Sequence, residues 1–93
     1  MAHVFLHSIV RQADDLLATE LDDETVVMAI DQGKYFGLKA TARDIWVRIR
    51  QPQRVEDLCR DLAEGYAVDR AVCEPEVLAF LEQALREGLI VVA

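Results

Sequence analysis

Thr25-Val26-Val27-Met28-Ala29-Ile30, Asp31-Gln32-Gly33, Lys34-Tyr35-Phe36-Gly37-Leu38 and Thr41 to Trp46 form the stretch that decides the fold. Thr25–Ile30 is rich in β-branched residues and bounded by turn signals, which predicts a strand. Val26, Met28 and Ile30 fall on one face and Val27 and Ala29 on the other. A strand apolar on both faces is usually central, or covered on both sides. Asp31-Gln32-Gly33 predicts a tight turn, with Gly33 free to take positive φ. Lys34–Leu38 is the next strand, where Gly37 marks a bulge or a close backbone approach. Upstream, Leu16–Leu21 is a strand candidate, joined through the polar turn Asp22-Asp23-Glu24. Three strands with short turns give an antiparallel meander, and so small a sheet needs helices over it.

The helices follow in the chain. Thr41 is the candidate N-cap of a helix to about Arg50, in which Ala42, Ile45, Trp46 and Ile49 recur at i, i+3, i+4 and i+7. Trp46 lies inside that stripe and reads as a core anchor rather than a stacking platform. Gln51-Pro52-Gln53 ends the helix. A second helix is expected from about Val55 to Gly65, with a stripe of Val55, Leu58, Cys59, Leu62 and Tyr66. Asp69 caps a further turn. Pro75 predicts the first turn of a third helix, leaving Arg70–Glu74 as a separate or kinked turn. That helix carries Val77, Leu78, Phe80, Leu81, Ala84 and Leu85 and is capped near Gly88. Leu89-Ile90-Val91-Val92 is an apolar tail expected to pack back on the body. Residues 1–15 are mixed and expected to be poorly ordered or extended. Strands followed by helices within a single domain, 1–93, predict an α+β fold.

Composition narrows the function. The formal net charge is −7, which argues against a nucleic-acid partner, because such binding rests on Lys and Arg meeting phosphates. The charge is uneven: Lys39, Arg43, Arg48, Arg50 and Arg54 stand against Asp44 alone within residues 39–54. Arg43 and Arg50, seven apart on a helix, share a face. That face reads either as a solvated surface or as a dock for the acidic surface of a partner enzyme. No apolar run approaches the ~20 residues of a membrane span, and Met1 to Arg11 lacks the pattern of a signal peptide. The expected location is therefore cytoplasmic, with Cys59 and Cys73 as buried reduced thiols. His3 and His7 have helical i,i+4 spacing but no third ligand, so no metal is expected. A Gly-rich phosphate loop, GxSxG and HExxH are all missing, and no nucleophile has a His beyond the first seven positions to serve it. No cofactor and no catalytic residue is expected.

Several ordered segments carry a resemblance: Asp23-Glu24-Thr25-Val26-Val27-Met28, Gly33-Lys34-Tyr35-Phe36-Gly37-Leu38, Ala42-Arg43-Asp44-Ile45-Trp46, Val55-Glu56-Asp57-Leu58, Val77-Leu78-Ala79-Phe80-Leu81 and Glu87-Gly88-Leu89. Together they resemble the PqqD-like family, the precursor-peptide recognition elements of ribosomal natural-product pathways. The match covers roughly Val10 to Val92. Such proteins often carry Asn directly after the Leu of the third strand, where it caps the first helix; here Lys39 stands there, which leaves the cap to Thr41. The resemblance implies a winged helix-turn-helix-like domain, a three-stranded antiparallel sheet followed by three helices, with no chemistry of its own. The leader segment of a precursor would lie as an added strand against the third strand, in a groove closed by the third helix. A modifying enzyme or protease of the same pathway would then act on the peptide. Lasso-peptide, quinone-cofactor and radical-enzyme pathways are homes for such members.

The residues support that mechanism on their own account. Lys34–Leu38 is last in the meander and so is an edge, whose unpaired N–H and C=O groups can accept an extended peptide. The expected peptide-binding residues are Lys34, Tyr35, Phe36 and Gly37 on the strand and Val77, Phe80, Leu81 and Ala84 on the third helix. Val77 and Phe80 are expected to face the groove, while the division of the rest between groove and core stays open. A winged-helix DNA-binding regulator is the alternative that suits the helix count. A subunit working by dimerisation is another. The reading adopted is a monomer or weak dimer that touches neither nucleic acid nor membrane.

Overall fold

The computed structural model describes residues 3–93. Met1 and Ala2, part of the stretch read above as poorly ordered or extended and of the segment searched for a signal peptide, lie outside the described residues. The chain runs β1 (Ile9–Gln12), β2 (Leu17–Leu21), β3 (Glu24–Ala29), a 3₁₀ turn (Ile30–Gln32), β4 (Lys34–Lys39), α1 (Ala40–Arg48), β5 (Gln53–Arg54), α2 (Val55–Tyr66), α3 (Arg70–Arg86) and β6 (Ile90–Val92). The fold is α+β, with the meander β2-β3-β4 and a second sheet, β5-β1-β6.

β3 is central in its sheet, but only one of its faces is buried. Thr25, Val27 and Ala29 turn inward, Val26 and Met28 are half-buried, and Ile30 leaves the strand for the 3₁₀ turn and is exposed. Gly33 takes φ 65 and accepts the reversal into β4, as its lack of a Cβ allows. No bulge interrupts β4, whose register with β3 is continuous from Lys34 to Lys39.

The second sheet was not expected from the sequence. β1 pairs with β5 through Val10↔Gln53 and with β6 through Arg11↔Val91. The terminal segment also completes helix ends, which leave backbone groups unpaired. Glu56 N–H of α2 donates to Leu6 O at 2.9 Å, and the Gln12 side chain donates to Trp46 O of α1 at 2.7 Å. Val4 and Val10 are buried core residues, so residues 3–12 are not a loose end.

Each helix also differs in one respect. α1 starts at Ala40, not after Thr41, and no side chain caps it; Ala40 itself holds φ 52. Tyr66 is exposed rather than part of the α2 stripe, and its hydroxyl donates to Asp44 Oδ2 at 3.1 Å. α3 is one helix from Arg70 that carries Pro75 inside it. At the far end of α3, Gly88 has φ 77; its N–H reaches Leu85 O, and Leu89 N–H reaches Ala84 O at 2.9 Å, a Schellman cap. The core joins Ile45, Trp46 and Ile49 of the α1 segment to Leu58, Cys59 and Leu62 of α2 and to Val77 and Leu81 of α3.

Candidate functional site

β4 is an edge of its sheet, with no strand beyond it among the described residues. Which of its groups point outward follows from turn length. β2 and β3 are joined by two residues, Asp22 and Asp23, between the partners Leu21 and Glu24. A two-residue turn closes on a hydrogen-bonded pair, and such pairs alternate along an antiparallel ladder. Glu24, Val26 and Met28 therefore address β2, and Thr25, Val27 and Ala29 address β4. Their partners on β4 are Leu38, Phe36 and Lys34. The N–H and C=O groups of Tyr35 and Gly37 and the N–H of Lys39 are left for the open edge, while the Lys39 C=O stands at the N-cap of α1 and accepts its first helical bond.

The side chains alternate with the same period. Tyr35 lies on the outer face and is 77% exposed, whereas Phe36 and Leu38 point inward. Between β4 and α3 lies a concavity of about 360 Å³, lined by Tyr35, Phe36, Gly37 and Leu38 on one side and Phe80, Gln83, Ala84 and Glu87 on the other, with Leu89 beside them. Apolar Phe36, Leu38, Phe80, Ala84 and Leu89 and polar Gln83 and Glu87 share its lining. Lys34 Nζ stands 4.0 Å from Glu87 Oε2 across one end.

The expected residues divide. Tyr35, Phe36, Gly37, Phe80 and Ala84 come together in this groove. Lys34 borders it through Glu87. Val77 and Leu81 do not belong: they are 1% and 0% exposed and sit in the core, because the inner row of α3 is Cys73, Val77, Leu81 and Ala84. The expectation that Val77 faces the groove is corrected on that ground. Leu38, Gln83, Glu87 and Leu89 were missed. Phe80, Gln83, Ala84 and Glu87 have the i, i+3, i+4, i+7 spacing that marks one helix face, so extending that face from the expected Phe80 and Ala84 would have found Gln83 and Glu87, while no spacing signal pointed to Leu89.

Arg43 and Arg50 do share a surface, a second concavity of about 470 Å³ that also includes Glu20, Asp23, Asp44 and Tyr66. It is larger than the groove, but within it Arg43 is tied to Glu20 and Asp44 to Arg48. Arg43 Nη2 donates to Glu20 Oε1 at 2.9 Å and its Nε donates to Thr25 Oγ1 at 3.2 Å, while Thr25 Oγ1 donates to Glu20 Oε2 at 2.6 Å. These bonds hold the Glu20 carboxyl below its ordinary range, the Arg43 bond most and the Thr25 bond next. Arg43 is thus a link between α1 and the sheet, not a free docking cation. Arg48 pairs with Asp44 at 2.6 Å; Arg50 has no ion pair among the described residues.

Elsewhere, His7 stacks on Phe5 with ring centroids 5.3 Å apart, and His3 Nδ1 lies 3.6 Å from Glu82. Among the described residues no three His, Cys, Asp or Glu side chains gather as a metal site, and no helix is long and apolar enough to cross a membrane. Cys59 and Cys73 are free and buried; burial, then the neighbouring Cys73, pushes the Cys59 thiol up to about 11.

With an open edge beside an apolar groove in place, the comparisons fall on the same ground. The profile of the family described as coenzyme PQQ synthesis protein D (PqqD) matches residues 24–90, from the start of β3 into β6. This chain belongs to the PqqD family. Among solved structures, TbiB1 in complex with the TbiA(beta) leader peptide is similar, with a TM-score of 0.79 and 29% sequence identity over 86% of this chain and 93% of that one. No curated protein matches the sequence. The PqqD profile contains every residue of the groove, from Tyr35 to Leu89, and leaves out β1 and β2.

Proposed function

We propose that this PqqD-family protein binds the leader segment of a ribosomally made precursor peptide as an added strand on β4. The bound leader would be roofed by α3 and presented to a modifying enzyme or protease in the cytoplasm. The observation that carries this reading is the open edge of β4, with the N–H and C=O groups of Tyr35 and Gly37 and the N–H of Lys39 facing outward beside the groove. Strand addition supplies affinity through the backbone, and pockets for alternate side chains supply selectivity. Phe36, Phe80, Ala84 and Leu89 form such a pocket. TbiB1, solved with a leader peptide, supports the assignment by its similarity over most of both chains.

The chain's part is recognition, and the chemistry belongs to the partner. The exposed face of α1 and the turn that follows it are the proposed dock for that enzyme, with Arg50 of that turn as the available cation; Arg43 is withdrawn from that role by Glu20. Amide hydrogen exchange, with and without the leader of the precursor made alongside this protein, tests the reading. Leader binding is expected to protect the Tyr35, Gly37 and Lys39 amides and to perturb Phe80. Protection confined to β2, or to the surface of α1, would overturn it.

A further inference from the structure

Gly37 is the one position of the open edge whose outer face carries no side chain, and another residue fills that space. A Cβ built on Gly37 would run into the Glu24 carboxylate. Glu24 lies on β3 opposite Lys39, and Gly37 lies opposite Val26. The Glu24 side chain therefore leans diagonally over the Gly37 backbone. Its Oε1 stands over Gly37, and its Oε2 is 3.4 Å from Lys39 Nζ. That separation exceeds the ~2.7–2.9 Å of a well-formed charge-assisted bond. One carboxylate oxygen is thus turned toward the open edge.

A peptide added to β4 would lie one strand spacing away, about 4.7–4.9 Å. Directly opposed residues on neighbouring strands project to the same face of the sheet. The peptide residues opposite Tyr35, Gly37 and Lys39 therefore point outward, away from the groove. Beside Tyr35 and Lys39 such a residue meets another long side chain. Beside Gly37 the way is clear to the Glu24 carboxylate. We propose that Glu24 is a specificity-determining residue that selects Lys or Arg at the peptide position paired with Gly37, an inference that rests on the strand-addition reading above. The groove reads the inward-facing set of alternate peptide residues. Glu24 reads the outward-facing set, which backbone pairing alone leaves undistinguished. The absence of a side chain at Gly37 is what lets a group on the second strand reach the bound peptide.

Phage-displayed random 16-residue peptides, selected in parallel on the wild-type protein, Glu24→Gln and Gly37→Ala, test this. Peptides from the wild type are expected to share apolar residues at alternate positions and a Lys or Arg at one interleaved position. Glu24→Gln removes the charge, and Gly37→Ala displaces the carboxylate while keeping it; both are expected to retain the apolar spacing and lose the cation. Replacing the selected cation by Met in a synthetic peptide is expected to weaken wild-type binding about fivefold, the upper range for a partly exposed ion pair, and to leave Glu24→Gln binding unchanged. Apolar spacing without a cation, or a cation that persists on Glu24→Gln, overturns the role of Glu24 and leaves strand addition standing. Failure to recover any shared pattern on the wild type overturns both.

Discussion

Tyr35→Pro and Phe36→Pro are adjacent substitutions with opposite expected consequences. The Phe36 N–H belongs to the hydrogen-bonded pair with Val27, a fully buried residue of the central strand. Proline there removes a ladder bond and strands a buried carbonyl, at about 1–3 kcal/mol, and it also deletes a half-buried aromatic ring. The Tyr35 N–H faces the open edge, where proline is tolerated because no ladder bond is lost. Tyr35→Pro should therefore melt close to the wild type. Its effect comes on binding, when the peptide carbonyl that would meet Tyr35 N–H is covered by α3 and finds no donor. That loss of about 1–3 kcal/mol raises Kd about 5- to 150-fold. Thermal melts followed by calorimetric titration with the leader peptide read both quantities on the same samples. If Tyr35→Pro is folded and binds like the wild type, the edge groups assigned here are not used. If Phe36→Pro is the folded, non-binding variant, the alternation has been taken one residue out of step.

Other consequences can be checked on the same protein. Leu81→Ala should lower stability by about 2–5 kcal/mol, with little effect on the affinity of the folded fraction, whereas Phe80→Ala should lose less stability and more affinity. Ala67 ends α2 in the left-handed region, at φ 54, so Ala67→Gly should raise stability by about 0.5–1 kcal/mol in chemical denaturation, less whatever entropy glycine adds to the unfolded chain. The Glu20 carboxyl is depressed in the folded protein, so its contribution is present above the ordinary value of 4.5 and is lost as pH falls through the depressed one. Glu20→Gln should flatten that part of the acid stability profile. Cys59, raised to about 11, should resist iodoacetamide at neutral pH until the protein is denatured; fast labelling of the native state would contradict its placement in the core.

The meander was legible because its signals are local. Thr25 to Leu38 contains two strand patterns and the turn between them, and its partners lie within a few residues. The second sheet has no such signal. Its strands are two to four residues long, and β1 finds its partners at residues 53–54 and 90–92, so nothing near Ile9 in the sequence announces a strand. Pro75 misled for a different reason. Proline fits the first turn of a helix, where its missing N–H is spare, but here Asp69 already stands at the N-cap position. Pro75 then denies Ala71 O its intrahelical donor, an interior penalty of about 3 kcal/mol. The burial of Cys73 and Val77 on either side offsets it, by an amount set by tertiary packing that no local rule contains.

The groove shows where sequence reasoning stops and what completes it. At about 100° per residue, Cys73, Ala84, Val77 and Leu81 fall within an arc of about 80°, and Phe80, Glu87 and Gln83 occupy the next ~60° on one flank. The sequence supplies these angles but not the direction of the core, so Val77 and Phe80, separated by only about 60°, could not be told apart as groove or interior. One tertiary fact resolves the ambiguity: the inward turn of Val77 and Leu81. Once that phase is known, β4 and the Phe80 flank must face one another across the groove. The open edge was legible in order alone, since the last strand of a meander has a single neighbour. The parity of that edge follows from the two residues of the Asp22-Asp23 turn. A peptide strand there would be sorted by two unlike surfaces, with inward residues against Phe36, Phe80 and Ala84 and outward residues against Tyr35, Glu24 and Lys39. A partner that satisfies only one of them should bind with the wrong face or slip by one residue, because a one-residue slip exchanges the two sets completely.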